Sequence, residues 1–130
     1  MSRAWLLAAL LLLLPLWGCG EPAPAATTVE LWSDLGLAEA HVSFLGPVER
    51  GDNELSITLF PRDGGVAQLV AVDALMPSHA HQAHAQEIRE TAEGFHASKL
   101  NLYMSGRWQL ELSLVVGDVP DRATLPVDVP

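Results

Sequence analysis

The feature that most constrains the fold is an alternation of apolar and polar residues in the second half of the chain. In the segment WQLELSLVV, residues 108–116, every second side chain up to position 114 is apolar and those between are mostly polar. Successive side chains of a β-strand point to opposite faces, so this period of two predicts a strand with one face in a core. A helix would instead need apolar residues every third or fourth position.

Comparable segments recur along the chain and are separated by turn-forming residues such as PRDGG at positions 61–65. The further predicted strands are residues 41–46, 54–60, 66–75, 87–91, 96–104 and 122–129. About seven short strands within roughly 100 residues predict an all-β fold, an antiparallel β-sandwich. The segment HAHQAHAQEIRE, residues 79–90, also allows one or two helical turns.

The inward-facing positions of these strands define a predicted core, which Trp108 is expected to anchor at the start of its strand. The alternation in residues 96–104 places His96 and Met104 on the same face as the core leucines of that strand. His41 is expected to have only a structural role. The predicted core residues are Leu55, Ile57, Leu59, Leu69, Val70, Leu100, Leu102, Trp108, Leu110 and Leu112.

The N-terminus has the composition of a secretory signal peptide. Arg3 precedes an apolar run, residues 4–17, that is shorter than the about 20 residues of a membrane-spanning helix. The run ends in LWGC, which resembles a bacterial lipobox, whose cysteine is lipidated. Cys19 is the only cysteine, so no intramolecular disulfide can form. Gly20 follows it rather than Asp, which by analogy with Gram-negative sorting indicates an outer-membrane lipoprotein facing the periplasm.

The chain is therefore expected to have three parts. Residues 1–18 form the predicted lipoprotein signal peptide, residues 19–28 the lipidated cysteine and a disordered Pro/Ala-rich linker, and residues 29–130 the β-sandwich domain. The formal net charge of −9 comes from 16 acidic and 7 basic residues. A surface of this sign repels nucleic acid and attracts cations, so no nucleic-acid partner is expected.

The segment LMPSHAHQAH, residues 75–84, contains three of the five histidines and one methionine. Thioether sulfur favours Cu(I), and imidazole binds Cu(I), Cu(II) and Zn(II), so this segment is a candidate copper site. His79 and His81 project to one side if the segment is extended, whereas His81 and His84 share a face if it is helical. Two other interpretations stay open: a pH-responsive or hydrogen-bonding loop, and a surface composition without function.

Three motifs together resemble the YtkA-like domain. They are MPSHAH at residues 76–81, the glycine-aromatic pair GF at 94–95, and LNLYMSGRWQLELSLVV at 100–116. Members of that family are small immunoglobulin-like β-sandwich proteins of bacterial envelopes, often lipoproteins, related by pattern to FixH proteins of cytochrome oxidase assembly and to CopC-type copper carriers. The resemblance covers roughly residues 54–116. Ala80 stands where many members have glycine, which implies a stiffer loop and an altered backbone angle.

The histidine cluster and the resemblance together predict a membrane-anchored envelope lipoprotein that binds copper as a carrier, buffer or oxidase-assembly factor. The expected partners are copper-handling or cytochrome oxidase assembly proteins. No nucleophile, phosphate-loop or zinc-protease motif is found, so an enzyme is not expected. The alternative is a protein-interaction module that docks a membrane protein through its acidic surface. The candidate metal ligands are Met76, His79, His81, His84, His96 and Met104.

Overall fold

The computed structural model describes Gly20 and residues 27–130. The predicted signal peptide, Cys19 and most of the predicted linker lie outside the described residues. The strands are β1 (Thr28–Trp32), β2 (Ala38–Phe44), β3 (Gly51–Pro61), β4 (Ala67–Met76), β5 (His81–His84), β6 (Glu87–Thr91), β7 (Gly94–Leu102), β8 (Gly106–Val116) and β9 (Val119–Val129). The described part of the chain has no helix that is long and apolar enough to cross a membrane.

The strands form two antiparallel sheets. Sheet A has the order β1-β2-β3-β7-β6 and sheet B the order β5-β4-β8-β9, which confirms the predicted β-sandwich. The structure has nine strands rather than about seven because β1 and β5, both at sheet edges, were not predicted. The helical turns that the sequence also allowed within residues 79–90 do not form, since this segment contains β5 and most of β6, and the predicted strand at 87–91 is confirmed as β6. The backbone groups of the segment are paired with β4 and β7 instead.

The core lies between the sheets and contains Trp108, whose side chain is fully buried as predicted. Eight of the ten predicted core residues are buried, and Leu59 is partly buried against them. Val70 is an error of the prediction, since 59% of its surface is exposed. The pairing of β4 with β8 shifts register between Leu69 and Ala71. Val70 is the extra residue at this bulge and faces outward, while Leu69 and Val72 both face the core.

A second irregularity corrects the predicted face of His96. In the first half of β7 the odd-numbered residues Phe95 and Ala97 are buried, whereas in the second half the even-numbered residues Leu100 and Leu102 are buried. The side chains that face the core therefore change from odd to even positions within the strand. Lys99 has a φ of 55°, in the left-handed region, and the opposing strand shifts register at the same level. His96 therefore lies on the outer face of sheet A and does not share a face with Leu100.

Gly94, at the start of β7, allows a close backbone approach to β3. A Cβ atom at this position would lie 2.4 Å from the carbonyl oxygen of Ile57, which is too close for any side chain. Its φ of 150° is also unfavourable for residues that carry a Cβ. The adjacent Phe95 is buried against the core. Glycine is thus required at the first position of the GF motif.

The sandwich has two ends, which differ in what closes them. The first, here called the rim end, contains Met76, His81 and the connection of residues 103–105 between β7 and β8. The opposite end, called the far end, contains the β1–β2 connection, which is tied to β9 of the other sheet. There the backbone N–H of Asp34 donates to the carbonyl of Arg122 (2.7 Å), and the N–H of Leu35 donates to the Asp121 carboxylate (3.0 Å).

The Asp121 carboxylate is the main polar group of the far end. Burial raises its pKa, but the neighbouring Ser33 hydroxyl and the backbone N–H groups of Arg122, Leu35 and Leu37 outweigh burial and hold the pKa below the usual aspartate value. The ionised carboxylate is therefore stabilised in the folded state. It links the two sheets at this end.

Candidate metal sites

The β4–β5 hairpin brings a thioether and an imidazole together at the rim end. Met76 and His81 are directly opposite each other in the antiparallel register. Side chains at such positions lie on the same face, with their Cβ atoms about 4.5–5.5 Å apart. Met76 is 2% exposed and His81 is partly buried. The two potential ligands thus leave adjacent strands on the side that faces the core.

The loop between these strands places His79 next to His81. The backbone N–H of His79 donates to the carbonyl of Met76 (3.1 Å), which closes the turn. Ala80 follows with a φ of 53°, in the left-handed region where glycine is at ease and other residues lose about 1–2 kcal/mol. The rings of His79 and His81 are nearly parallel, at 6°, with centroids 5.8 Å apart.

Neighbouring side chains orient both imidazoles. The hydroxyl of Ser78 lies 2.8 Å from Nδ1 of His79, which leaves Nε2 as the nitrogen for a ligand. The ring of His81 meets Tyr103 edge-on at 5.5 Å, and Tyr103 meets Trp108 in the same way at 5.5 Å. These rings form an aromatic row at the rim end, His81–Tyr103–Trp108, that leads from the surface into the core.

Met104 lies at the same end of the sandwich. The indole N–H of Trp108 donates to the carbonyl of Met104 (2.9 Å), and the Met104 side chain packs partly buried against the core. The structure therefore brings four of the six predicted ligands to the rim end: Met76, His79, His81 and Met104.

The other two predicted ligands lie elsewhere. His84 is on β5, where Ala83 faces the core and His84 faces solvent, so His81 and His84 are on opposite faces of the strand. Its Nδ1 pairs with the carboxylate of Asp73. His96, on the outer face of sheet A, has its Nε2 atom 3.4 Å from a carboxylate oxygen of Glu54. Neither imidazole is directed towards the rim-end group.

A group that the sequence analysis missed lies on β1 and β2. Glu30, Glu39 and His41 each offer one ligand atom, and these three atoms lie within 4.8 Å of one another. Across residues 27–130, no other group of three or more His, Asp or Glu donors is this compact. The three residues are separated in sequence, and β1 was not predicted, so only the strand pairing brings them together.

Comparison of the chain with protein-family models, with curated proteins and with solved structures gives no match. The rim-end group combines sulfur and nitrogen donors at a buried edge of the core. The group on β1 and β2 combines two carboxylates and one imidazole on a sheet face, where Glu39 and His41 are each about 30% exposed.

Proposed function

We propose that this chain is a copper-binding lipoprotein of the bacterial cell envelope, similar to YtkA-like domains and anchored through Cys19. In this proposal Met76, His79 and His81 bind the ion, and the protein acts as a carrier, buffer or oxidase-assembly factor. The observation that supports it best is the cross-strand pairing of Met76 with His81, with the ring of His79 beside them. Met104 is the candidate for a fourth ligand.

The donor atoms favour copper over other common metals. A thioether is a soft ligand that favours Cu(I), while the two imidazoles can stabilise either oxidation state. Magnesium and calcium prefer sets of oxygen ligands, and the rim-end group supplies none from its own side chains. Met76 is almost fully buried, which keeps its sulfur away from water and favours the lower charge of Cu(I) over Cu(II).

The geometry suggests how the ion enters. Nitrogen lone pairs lie in the plane of an imidazole ring, so two nearly parallel rings do not direct them at a common point without a rotation. His81 is held by Tyr103, and Met76 is held by the core. His79 is exposed on the loop, so it is the ligand that turns towards the ion. One exposed ligand beside two more buried ones suits a protein that loads and releases its metal.

A Cu(I) titration of the purified full chain in detergent, against a competing chelator under reducing conditions, tests the proposal. The double variant His79→Ala/His81→Ala should bind Cu(I) at least about tenfold more weakly, since even outer-shell partners of metal ligands contribute 10–100-fold. The matched variant His84→Ala/His96→Ala removes two histidines outside the rim end and should bind as the wild type does. Equal affinities of the two double variants would reject the copper site.

The variant Met76→Leu separates the packing role of this residue from its sulfur. The substitution nearly conserves volume, so we expect unfolding free energy to fall by less than about 1.5 kcal/mol. Cu(I) affinity should nevertheless fall at least about tenfold, because the soft donor is gone. Urea denaturation and the chelator titration measure the two effects on the same sample. An unchanged Cu(I) affinity would leave Met76 as a core residue only.

A second candidate function is the protein-interaction module, and an open groove on sheet B favours it. The groove has a volume of about 520 Å³ and is lined by Pro77, Ser78, Arg107 and Pro126 among others. It adjoins the loop that carries His79. In this reading an envelope partner docks there without metal, and it binds the wild type and the His79→Ala/His81→Ala variant equally after metal is stripped. If the partner fails to bind the His79→Ala/His81→Ala variant, or is released when metal is removed, the interaction-module function is contradicted.

A further inference from the structure

The outer face of sheet A carries a side-chain group that the proposed copper site does not use. Glu30 on β1 is directly opposite His41 on β2, and Glu39 precedes His41 by two residues on the same strand. Cross-strand partners share a face, and so do residues two apart on a strand. Strand pairing thus puts all three side chains on one side of the sheet, with their donor atoms within 4.8 Å.

One donor spacing in this group matches that of a tetrahedral zinc site. Bonds of about 2.0–2.1 Å to nitrogen and oxygen give ligand-to-ligand distances of about 3.3–3.4 Å in a tetrahedron. Nε2 of His41 is 3.4 Å from a carboxylate oxygen of Glu39. The Glu30 oxygen lies within 4.8 Å of the other two donors, and this side chain is exposed, so it has room to rotate towards them.

The two carboxylates of the group have no lysine or arginine partner among the described residues. Within residues 27–130, no lysine or arginine nitrogen lies within 4.0 Å of the Glu30 or Glu39 carboxylate. Arg62 comes close to this face, but its guanidinium lies over the ring of Trp32, 4.8 Å from the centroid. Two carboxylates that face one imidazole favour the binding of a cation.

The imidazole of His41 is also held in place. Its ring packs against Phe60, with centroids 4.6 Å apart and an interplanar angle of 54°. Phe60 is the cross-strand partner of Glu39. The pairing of β2 with β3 therefore positions both the aromatic ring that supports His41 and the Glu39 carboxylate beside it. A ligand held by packing loses less freedom on binding than a mobile one.

We infer that Glu30, Glu39 and His41 bind a divalent transition-metal ion, such as Zn²⁺, at a site separate from the rim end. Two oxygen donors and one nitrogen donor suit Zn²⁺ or Cu²⁺ and disfavour Cu(I). Three protein ligands leave the fourth position for water or for a donor from another molecule. This inference does not depend on the proposed copper site, because the two groups share no residue.

The test is a Zn²⁺ titration by calorimetry of the full chain in detergent, carrying His79→Ala/His81→Ala so that the rim-end histidines do not contribute. One equivalent of Zn²⁺ should still bind. Adding His41→Ala, or Glu30→Gln, should weaken this binding at least about tenfold. The matched addition is His96→Ala, which removes a histidine that also faces a glutamate on the outer face of sheet A; it should leave the affinity unchanged.

A thermal unfolding curve checks that each variant is folded, and the ¹⁵N signal of His41 Nε2 should shift on Zn²⁺ addition in the unsubstituted chain. The inference is overturned if the His79→Ala/His81→Ala chain binds no Zn²⁺, or if Glu30→Gln and His41→Ala bind it as strongly as His96→Ala does. The copper proposal is tested separately by Cu(I) affinity. Its failure would not change the outcome expected for Zn²⁺ binding.

Discussion

The two ends of the sandwich are closed by different kinds of interaction. At the rim end, the aromatic row links His81 to the buried Trp108, and a buried thioether lies opposite an imidazole. At the far end, backbone hydrogen bonds to Asp121 and Arg122 close the structure, and the nearby face of sheet A carries two carboxylates around His41. The two histidines thus differ in the donors beside them: His81 lies opposite a buried thioether, whereas His41 lies beside two carboxylates, so the two proposed sites are expected to favour different metals.

The largest expected effect concerns the aromatic row. Trp108→Ala removes a fully buried side chain and its hydrogen bond to Met104, so we expect a loss of about 4 kcal/mol in unfolding free energy. Trp32→Ala, near the far end, removes an indole that is 48% exposed and should cost far less. Urea denaturation of both variants measures the difference. Similar losses would mean that the rim end does not depend on its buried tryptophan.

The next effect concerns the carboxylate at the far end. Asp121→Asn removes a charged acceptor of backbone hydrogen bonds, so we expect a loss of about 2 kcal/mol at neutral pH. The control Asp118→Asn changes an exposed carboxylate in the β8–β9 turn and should leave stability unchanged. Urea denaturation at neutral pH compares the two variants. A loss no greater than that of the control would show that Asp121 does not hold the two sheets together.

The pH dependence of this contribution follows from the lowered pKa of Asp121 in the folded state. Because the folded pKa is below the unfolded value of about 3.9, the stabilisation is complete well above that value. It is lost as pH falls through the unfolded and then the folded pKa. The wild type should therefore approach the stability of the Asn variant in acid, as urea titrations at pH 7 and pH 3 would show. A constant gap between them would contradict the assignment.

The smallest effect concerns the loop at the rim end. Ala80 has a left-handed backbone, so Ala80→Gly should raise unfolding free energy by about 1 kcal/mol. Ala92, in the β6–β7 turn, has no positive φ, and Ala92→Gly should instead lower stability slightly. Thermal unfolding distinguishes the two signs. A loss of stability in both variants would show that Ala80 is not strained.

The fold was predictable because burial of one face imposes a period of two on each long strand. The errors fall where register depends on a partner strand that the pattern does not reveal. Val70 is turned outward by a bulge against β8, and His96 is turned outward by the shift near Lys99. The edge strands β1 and β5 are short and carry weak alternation, and so they were missed.

The two candidate sites also differ in how far they could be predicted from the sequence. Met76, His79 and His81 are neighbours in sequence, so their grouping is visible in the amino-acid sequence itself, although their mutual orientation is not. Glu30 and Glu39 lie nine residues apart and meet His41 only through the pairing of β1 with β2. A cluster made by a loop is visible as a motif, whereas a cluster made by strand register becomes visible only once the sheet is known.

Gly94 shows how a residue without a side chain can direct its neighbours. Because only hydrogen fits beside the Ile57 carbonyl, the start of β7 lies directly against β3, and Phe95 then faces inward while His96 faces outward near Glu54. Substitutions in the loop that carries the proposed metal ligands should leave this strand in place. Replacement of this one glycine should instead displace the strand, so any engineered transplant of the rim-end loop should keep it as a fixed reference point.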